Sequence, residues 1–256
     1  MVRTLASRES AAAAACLAAL VRDAERAVVL TGAGISVPSG IPDFRSPGTG
    51  IWEGVDPLEV AHVDAWRRDP DRFWRFYGTR FAALVDKRPN RAHEVVAELE
   101  RSGRIRAVIT QNVDRLHRRA GSSRVIEVHG SIETSSCTSC DSTWGLEDVE
   151  SLFDDDGVAV CPTCVGYVKP DVVLFGEMLP AAAMAEAEAL ASRADLLLCV
   201  GSSLEVYPVA GLPSVTLRAG GALAIVTQGA TQYDADAAVR LSGDVVAELE
   251  AVVAAL

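Results

Sequence analysis

No stretch of this chain approaches the ~18 consecutive apolar residues of a membrane-spanning helix, which argues against a helical membrane protein. Basic charge is also scarce: 24 Lys and Arg stand against 35 Asp and Glu, a formal net charge of -11. Grip on a phosphate backbone comes from Lys and Arg, so direct nucleic-acid binding is not expected. A basic peptide remains a suitable partner, because an acidic surface attracts one by complementary potential. A secretory signal is not expected either. Residues 11–21 read AAAAACLAALV behind Arg3 and Arg8, but Glu9 interrupts the charged segment and Arg22, Asp23, Glu25 and Arg26 follow at once. Alanine is the strongest helix former, so this run predicts a first helix leading into AVVLT, and the chain reads as cytoplasmic.

Among the six cysteines, four fall as C-T-S-C and C-P-T-C, at Cys137, Cys140, Cys161 and Cys164. Within each C-x-x-C a tight turn brings both thiolates to one side of a metal, and two such knuckles close a tetrahedron around zinc. Redox or unliganded cysteines are the alternative. Four thiolates leave no open position for water or substrate, so such an ion would be structural. Between Cys137 and Cys164 there is no Lys or Arg, while seven acidic residues are present. A nucleic-acid-binding zinc module would be basic. Cys16 and Cys199 are expected to be ordinary buried thiols.

Short runs rich in Val, Ile and Leu recur along the chain: AVVLT (27–31), RAVIT (106–110), RVIEV (124–128), VVLF (172–175), DLLLCV (195–200) and LAIVT (223–227). Continuous apolar runs of this length suit strands buried on both faces of a parallel sheet. Helical patterns alternate with them, among them NRAHEVVAELERSG and LPAAAMAEAEALASRA. The fold class predicted is α/β, a doubly wound parallel sheet. Two segments interrupt the alternation and predict a smaller second domain: 37–85, opening with a Pro- and Gly-dense loop, and 131–169, the cysteine segment. Residues 1–36, 86–130 and 170–256 are then the main domain, and the cleft between the two is the expected binding site.

AVVLT runs directly into Gly32-Ala33-Gly34-Ile35-Ser36. A strand followed by G-x-G opens a dinucleotide fingerprint, although the third glycine falls at Val37 and is missing. A plain tight turn is the alternative. In place of the clean crossover helix of a dehydrogenase comes a long loop punctuated by Pro38, Pro42 and Pro47, which reads as a lid. Other polar clusters sit at strand ends: Gln111, Asn112 and Asp114 after RAVIT, His129 after RVIEV, and Gly201, Ser202 and Ser203 after LLLCV. Ligands of open α/β sheets bind at the carboxyl ends of strands, so these clusters converge. Asn112 or Asp114 serves equally as a helix cap. His129 has a pKa suited to a general base near neutrality, or a structural role. His62, His93 and His117 read as structural.

In chain order, GAGISVPSGIPDFRS, TQNVDRLH, the VHG at His129, the paired knuckles, KPDVVLFGE, GSSLEVYP and IVTQG resemble one family. This is the sirtuins, NAD-dependent protein-lysine deacylases, and the likeness spans residues 27–246. The resemblance implies a Rossmann-like domain for NAD and a smaller zinc-ribbon plus helical domain, with acyl-lysine entering the cleft between them. It implies removal of acetyl groups from lysine, giving nicotinamide and O-acetyl-ADP-ribose. His129 is the implied base on a ribose hydroxyl, with Asn112 and Asp114 beside it. Gly32, Ala33, Gly34, Ile35, Pro42, Asp43, Phe44 and Arg45 match the cofactor loop. Gln111, Asn112 and Asp114 match the ribose and nicotinamide pocket, and Gly201, Ser202 and Ser203 the phosphate and ribose contacts. Thr227, Gln228, Gly229 and Val245 match the adenosine side. Val173, Phe175 and Gly176 match the acyl-lysine tunnel, and Glu205 and Val206 the segment that pairs with a peptide as an added strand.

Tyr77 and Arg80 lie three apart on one face of a predicted helix. In the family's desuccinylase branch a Tyr-x-x-Arg holds the substrate carboxylate, and an Arg fork beside a phenol is a sound clamp. A core tyrosine beside a solvated arginine is the alternative. That branch carries Thr where this chain has Asp43, and LFGEMLP is closer to plain deacetylases. The expected activity is therefore deacetylation, with desuccinylation possible through Tyr77 and Arg80. An NAD dehydrogenase with a structural zinc, a zinc-ribbon interaction module and ADP-ribosyl transfer are the competing readings.

Overall fold

The computed structural model describes residues 2–44, 48 and 50–256, with side chains from residue 10 onward. Strands β1 (Ala27–Thr31), β2 (Ile105–Thr110) and β3 (Val125–Glu127) are followed by β4 (Gly130–Cys137), β5 (Thr143–Gly145) and β6 (Val168–Val172). The chain then returns with β7 (Leu196–Val200), β8 (Ala222–Val226) and β9 (Val239–Leu241). The main sheet has six strands in the order β3-β2-β1-β7-β8-β9, and every pairing in it is parallel.

Helices α1 (Val2–Asp23), α2 (Pro57–Val60), α3 (Val63–Arg68), α4 (Pro70–Val85) and α5 (Arg91–Arg101) precede α6 (Leu116–Arg119) and α7 (Leu146–Val149). The last three are α8 (Ala181–Arg193), α9 (Leu212–Arg218) and α10 (Val245–Ala254). Successive side chains of a strand point to opposite faces. In β1, Ala27 and Val29 pack with α1, α5 and α10, whereas Val28 and Leu30 pack with α8 and α9. Helical cover on both faces explains why β1 and β7 read as unbroken apolar runs. Helix starts are set locally: the Asn90 side chain accepts from Ala92 N at 2.9 Å, and Asp244 from Val246 N and Ala247 N at 3.0 Å.

A second, three-stranded sheet, β5-β4-β6, is antiparallel. It packs against α3 and α4 through an apolar cluster that includes Trp66, Phe73, Trp74, Ile132, Val168 and Leu174. Buried Trp74 is satisfied by donating from Nε1 to Val168 O at 2.9 Å. The run VVLF does not join the main sheet as its composition suggested. The strand ends at Val172, and 173–175 bridges the two halves: Val173 N donates to His129 O at 2.8 Å and Phe175 N to Ala61 O at 2.8 Å. Cys16 is exposed, contrary to expectation, because it lies on the solvent side of α1; Cys199 is buried in β7.

Gly130 joins the main sheet to β4 with φ of 73°, and a Cβ there would lie 2.1 Å from Asp171 O. Both the left-handed backbone and the contact demand glycine. Gly130→Ala is expected to lower the unfolding free energy by about 2 kcal/mol or more. Urea denaturation checks this, and a variant within about 0.5 kcal/mol of the parent would contradict it.

Candidate functional site

The strand order is that of a doubly wound sheet whose direction of growth reverses between β1 and β7, where ligands bind beyond the carboxyl ends. Gly32 follows β1 and Gly201 follows β7. The two loops interlock. Gly32 N donates to Val200 O at 3.1 Å and Gly34 N to Gly201 O at 2.8 Å. A Cβ on Gly34 would sit 2.8 Å from Gly201 Cα, and one on Gly201 would sit 2.2 Å from Ile35 N. The missing third glycine has a structural reason: two short 3-10 turns, Ala33–Ile35 and Val37–Ser39, replace the crossover helix against which that glycine would pack.

Beneath this loop lies a buried polar cluster. Asn112 donates from Nδ2 to Gly32 O and to Ser36 Oγ, both at 3.1 Å. Ser36 Oγ donates to Asp114 Oδ2 at 2.6 Å, and Leu116 N donates to Asp114 Oδ1 at 2.9 Å. Burial pushes the Asp114 carboxyl up, while these two donors pull it down. His93 Nδ1 accepts from Asn90 N at 3.4 Å, which leaves the proton on Nε2, 3.4 Å from Ser36 Oγ. His117 Nε2 lies 2.9 Å from Thr31 Oγ1. Burial drives both imidazoles down, His93 to about 4, so both are held neutral near pH 7.

A cleft of about 1110 Å³ opens above the loop. It is lined by Gly32, Ala33, Gly34, Pro42, Asp43, Phe44, Gln111, Asn112, Gly201, Ser202, Ser203, Thr227, Gln228, Gly229 and Val245. His129, Tyr77, Val173, Phe175, Gly176, Glu205 and Val206 line it as well. Ile35 and Asp114 do not: Ile35 is fully buried in the core, and Asp114 lies behind Ser36. Arg45 falls outside the described residues.

His129 Nδ1 lies 3.1 Å from Gln111 O, an acceptor only, so Nδ1 carries the proton and Nε2 is the acceptor. Burial lowers the His129 pKa, and the bond to Gln111 partly offsets this. Gln111 also donates from Nε2 to Ser202 Oγ at 2.8 Å, which couples His129 to the β7 loop. The far wall is aromatic: Trp52 lies 4.7 Å from Phe44 and 5.7 Å from Phe175 between ring centroids. The Tyr77 hydroxyl accepts from Trp52 Nε1 at 3.1 Å. Arg80 is outside the cleft. Its guanidinium lies over the Phe76 ring at 4.1 Å and bonds to Phe76 O, and its charge still acts on the Tyr77 phenol. Ser36 and Trp52 escaped the sequence reading as site residues. Ser36 carried a signal, a hydroxyl between Ile35 and Val37 directly behind the glycine loop.

Cys137, Cys140, Cys161 and Cys164 present sulfurs that all lie within 4.8 Å of one another. Cys137 and Cys164 are 3.4 Å apart, and Cys140 and Cys161 3.7 Å. Tetrahedral Zn–S bonds of about 2.3 Å require sulfur spacings of about 3.8 Å, so the residues present fit one structural zinc. Cys137 and Cys161 also belong to the apolar cluster under α4, which ties that cluster to the ion. Stripping zinc with a chelator is expected to expose the 131–169 segment to protease and to abolish activity together. A zinc-free protein that stays protease-resistant and fully active would contradict this.

The model of the Sir2 family matches residues 32–208. An NAD-dependent protein deacetylase of Thermotoga maritima is 45% identical over 227 residues, 89% of this chain and 92% of its own. An NAD-dependent protein deacylase 2 of Archaeoglobus fulgidus is 44% identical over 218 residues, 85% of each chain. Among solved structures, a complex of Sir2 with a deacetylated p53 peptide and 3'-O-acetyl ADP ribose superposes with a TM-score of 0.90 at 43% identity, covering 93% of this chain and 96% of that one. A Sir2 complex with p53 peptide and NAD+ gives 0.86 at 43% identity, covering 92% and 95%. With the family model covering more than half its length, and relatives of this identity along most of it, the chain belongs to the Sir2 family.

Proposed function

We propose that this protein removes acetyl groups from lysine side chains of protein substrates, consuming NAD and giving nicotinamide and O-acetyl-ADP-ribose. The observation that carries the reading is convergence. One cleft receives the interlocked glycine loop, the acceptor nitrogen of His129 and an aromatic-walled recess. NAD, as co-substrate, supplies the ribose carbon that the acyl oxygen attacks as nicotinamide leaves. The residues' work is then positioning and proton transfer. His129 takes a ribose hydroxyl proton at Nε2, its tautomer held by Gln111 O. Gly32, Ala33, Gly34, Gly201, Ser202 and Ser203 give the phosphates close backbone approach. Asn112 faces the nicotinamide side, and Asp114 acts through Ser36 to hold it. Thr227, Gln228, Gly229 and Val245 take the adenosine end. Pro42, Asp43 and Phe44 shield the reacting atoms from water, a role that extends to Arg45 by its place in the motif.

Val173, Phe175 and Gly176 form the acyl-lysine passage, and Glu205 and Val206 the edge a peptide joins. We read 1–36, 86–130 and 173–256 as the NAD-binding unit and 37–85 with 131–172 as the smaller one, the crossing expected at 170 moving to the end of β6. Reduced, clustered thiols suit a cytoplasmic location. With Arg80 outside the cleft, the recess at Tyr77 and Trp52 favours an uncharged acyl group over succinyl.

Incubation with NAD and acetylated, succinylated or unmodified lysine peptide tests the reading. Nicotinamide release is expected with the acetylated peptide, without the absorbance change of hydride transfer, and Arg80→Met is expected to leave it intact. A base with a lowered pKa stays unprotonated to lower pH, so the acid limb of kcat/KM should fall below pH 6.5. No peptide-dependent nicotinamide release, or an acid limb above pH 6.5, would count against the reading or against His129 as its base, respectively.

A further inference from the structure

Gln232 stands apart from every motif above, on the turn that follows β8, yet its side chain reaches the opposite loop. Its Nε2 donates to Leu204 O at 2.5 Å, and its Oε1 accepts from the Tyr207 hydroxyl at 3.1 Å. The amide orientation follows from chemistry: a peptide carbonyl only accepts, so Nε2 must face Leu204, and Oε1 is left for a donor. The turn that carries Gln232 is itself anchored. Thr231 Oγ1 donates to Asp234 Oδ1 at 2.7 Å, Asp234 pairs with Arg240 at 2.9 Å, and the buried Tyr233 donates from its hydroxyl to Ala210 O at 2.7 Å.

Leu204 needs such support. It is 1% exposed and holds a left-handed backbone, φ 55°, which a side chain disfavours. Both of its peptide groups are held by side chains: its N–H donates to Ser202 Oγ at 3.2 Å, and its carbonyl accepts from Gln232. Ser202 accepts from Gln111, whose carbonyl faces His129. A continuous line of hydrogen bonds thus runs from His129 through Gln111, Ser202, Leu204 and Gln232 to Tyr207.

We propose that Gln232 is a positioning residue for the peptide substrate, fixing the Leu204–Tyr207 segment so that Glu205 and Val206 present a preformed edge to the incoming chain. This rests on the peptide-binding role proposed above for Glu205 and Val206. Glu205 and Val206 lie between the two points that Gln232 holds, Leu204 O and the Tyr207 hydroxyl. Val206 O already accepts from Ala210 N at 2.9 Å, which helps order this stretch before the peptide arrives, so less ordering entropy is lost on binding. Gln232 itself touches neither acyl group nor cofactor in this scheme, so its loss should weaken peptide capture and spare the chemical step.

Steady-state kinetics on the full chain with acetylated peptide and NAD test this, using Gln232→Leu, Tyr207→Phe and the double variant. Gln232→Leu is expected to raise the peptide KM about threefold to tenfold, the loss expected for one or two such hydrogen bonds. The NAD KM, and kcat at saturating peptide, should stay within about twofold. Tyr207→Phe, which removes only the second bond, should give a smaller rise in the same constant. The double variant should not exceed Gln232→Leu, since both act through one amide. An unchanged peptide KM in Gln232→Leu overturns the inference even if thermal stability falls. A parallel rise in the NAD KM overturns it too, by showing a general loosening of the cleft. A parent protein that shows no peptide-dependent nicotinamide release removes the underlying activity, and the inference with it.

Discussion

The close approach of the β1 and β7 loops is the constraint on which the rest of the structure depends. Gly34 N reaches Gly201 O at 2.8 Å, and neither glycine has room for a Cβ. This contact joins the two halves of the parallel sheet at the point where strand order reverses. It also leaves backbone, with no side chain above it, as the floor of the cleft. The proposed phosphate contacts, the coupling of Gln111 to Ser202 and the placement of His129 all follow from that geometry.

Holding the floor in place falls to buried polar groups that hydrogen-bond one another around Ser36, with His117 Nδ1 left unpartnered beside them. Ser36 Oγ donates to Asp114, accepts from Asn112 and faces His93 Nε2, so one hydroxyl orders three side chains. Such networks are costly when incomplete. Burial keeps His93 and His117 neutral, which spares the cluster a buried cationic charge. On the far side of the cleft the logic is apolar: Trp52, Phe175 and Tyr77 form the wall, and Cys137 and Cys161 belong to the cluster behind them.

Much of this was legible in the residues, for reasons that also mark where legibility ended. β1, β7 and β8 were readable because both faces are covered, which leaves an unbroken apolar run, and β2 departs from that pattern at the exposed Arg106. VVLF obeyed the same pattern and misled. Its neighbours Lys169 and Pro170 belong to an antiparallel strand of another sheet, and the apolar run is a connector buried between halves. β4, GSIETSSC, was invisible because its packing comes from Trp74 and its neighbours and its own alternation is weak. β9 has only three residues, too few to show a period. In the cleft, motif residues lie on loops that converge, yet Asp114 lies behind Ser36, and the Arg80 guanidinium packs on Phe76. Spacing places a side chain on a helix face; the direction its end group takes is decided by what it packs on.

The central claim is that bare backbone where β1 meets β7 makes the NAD site. Calorimetric titration of NAD into Gly34→Ala tests it most directly, with the parent protein alongside and far-ultraviolet circular dichroism to report the sheet. A Cβ at that position lies 2.8 Å from Gly201 backbone atoms. The account predicts NAD affinity lowered about tenfold or more, a change of about 1.4 kcal/mol, with the helix and strand signal retained. Unchanged NAD affinity in a folded Gly34→Ala protein would contradict it.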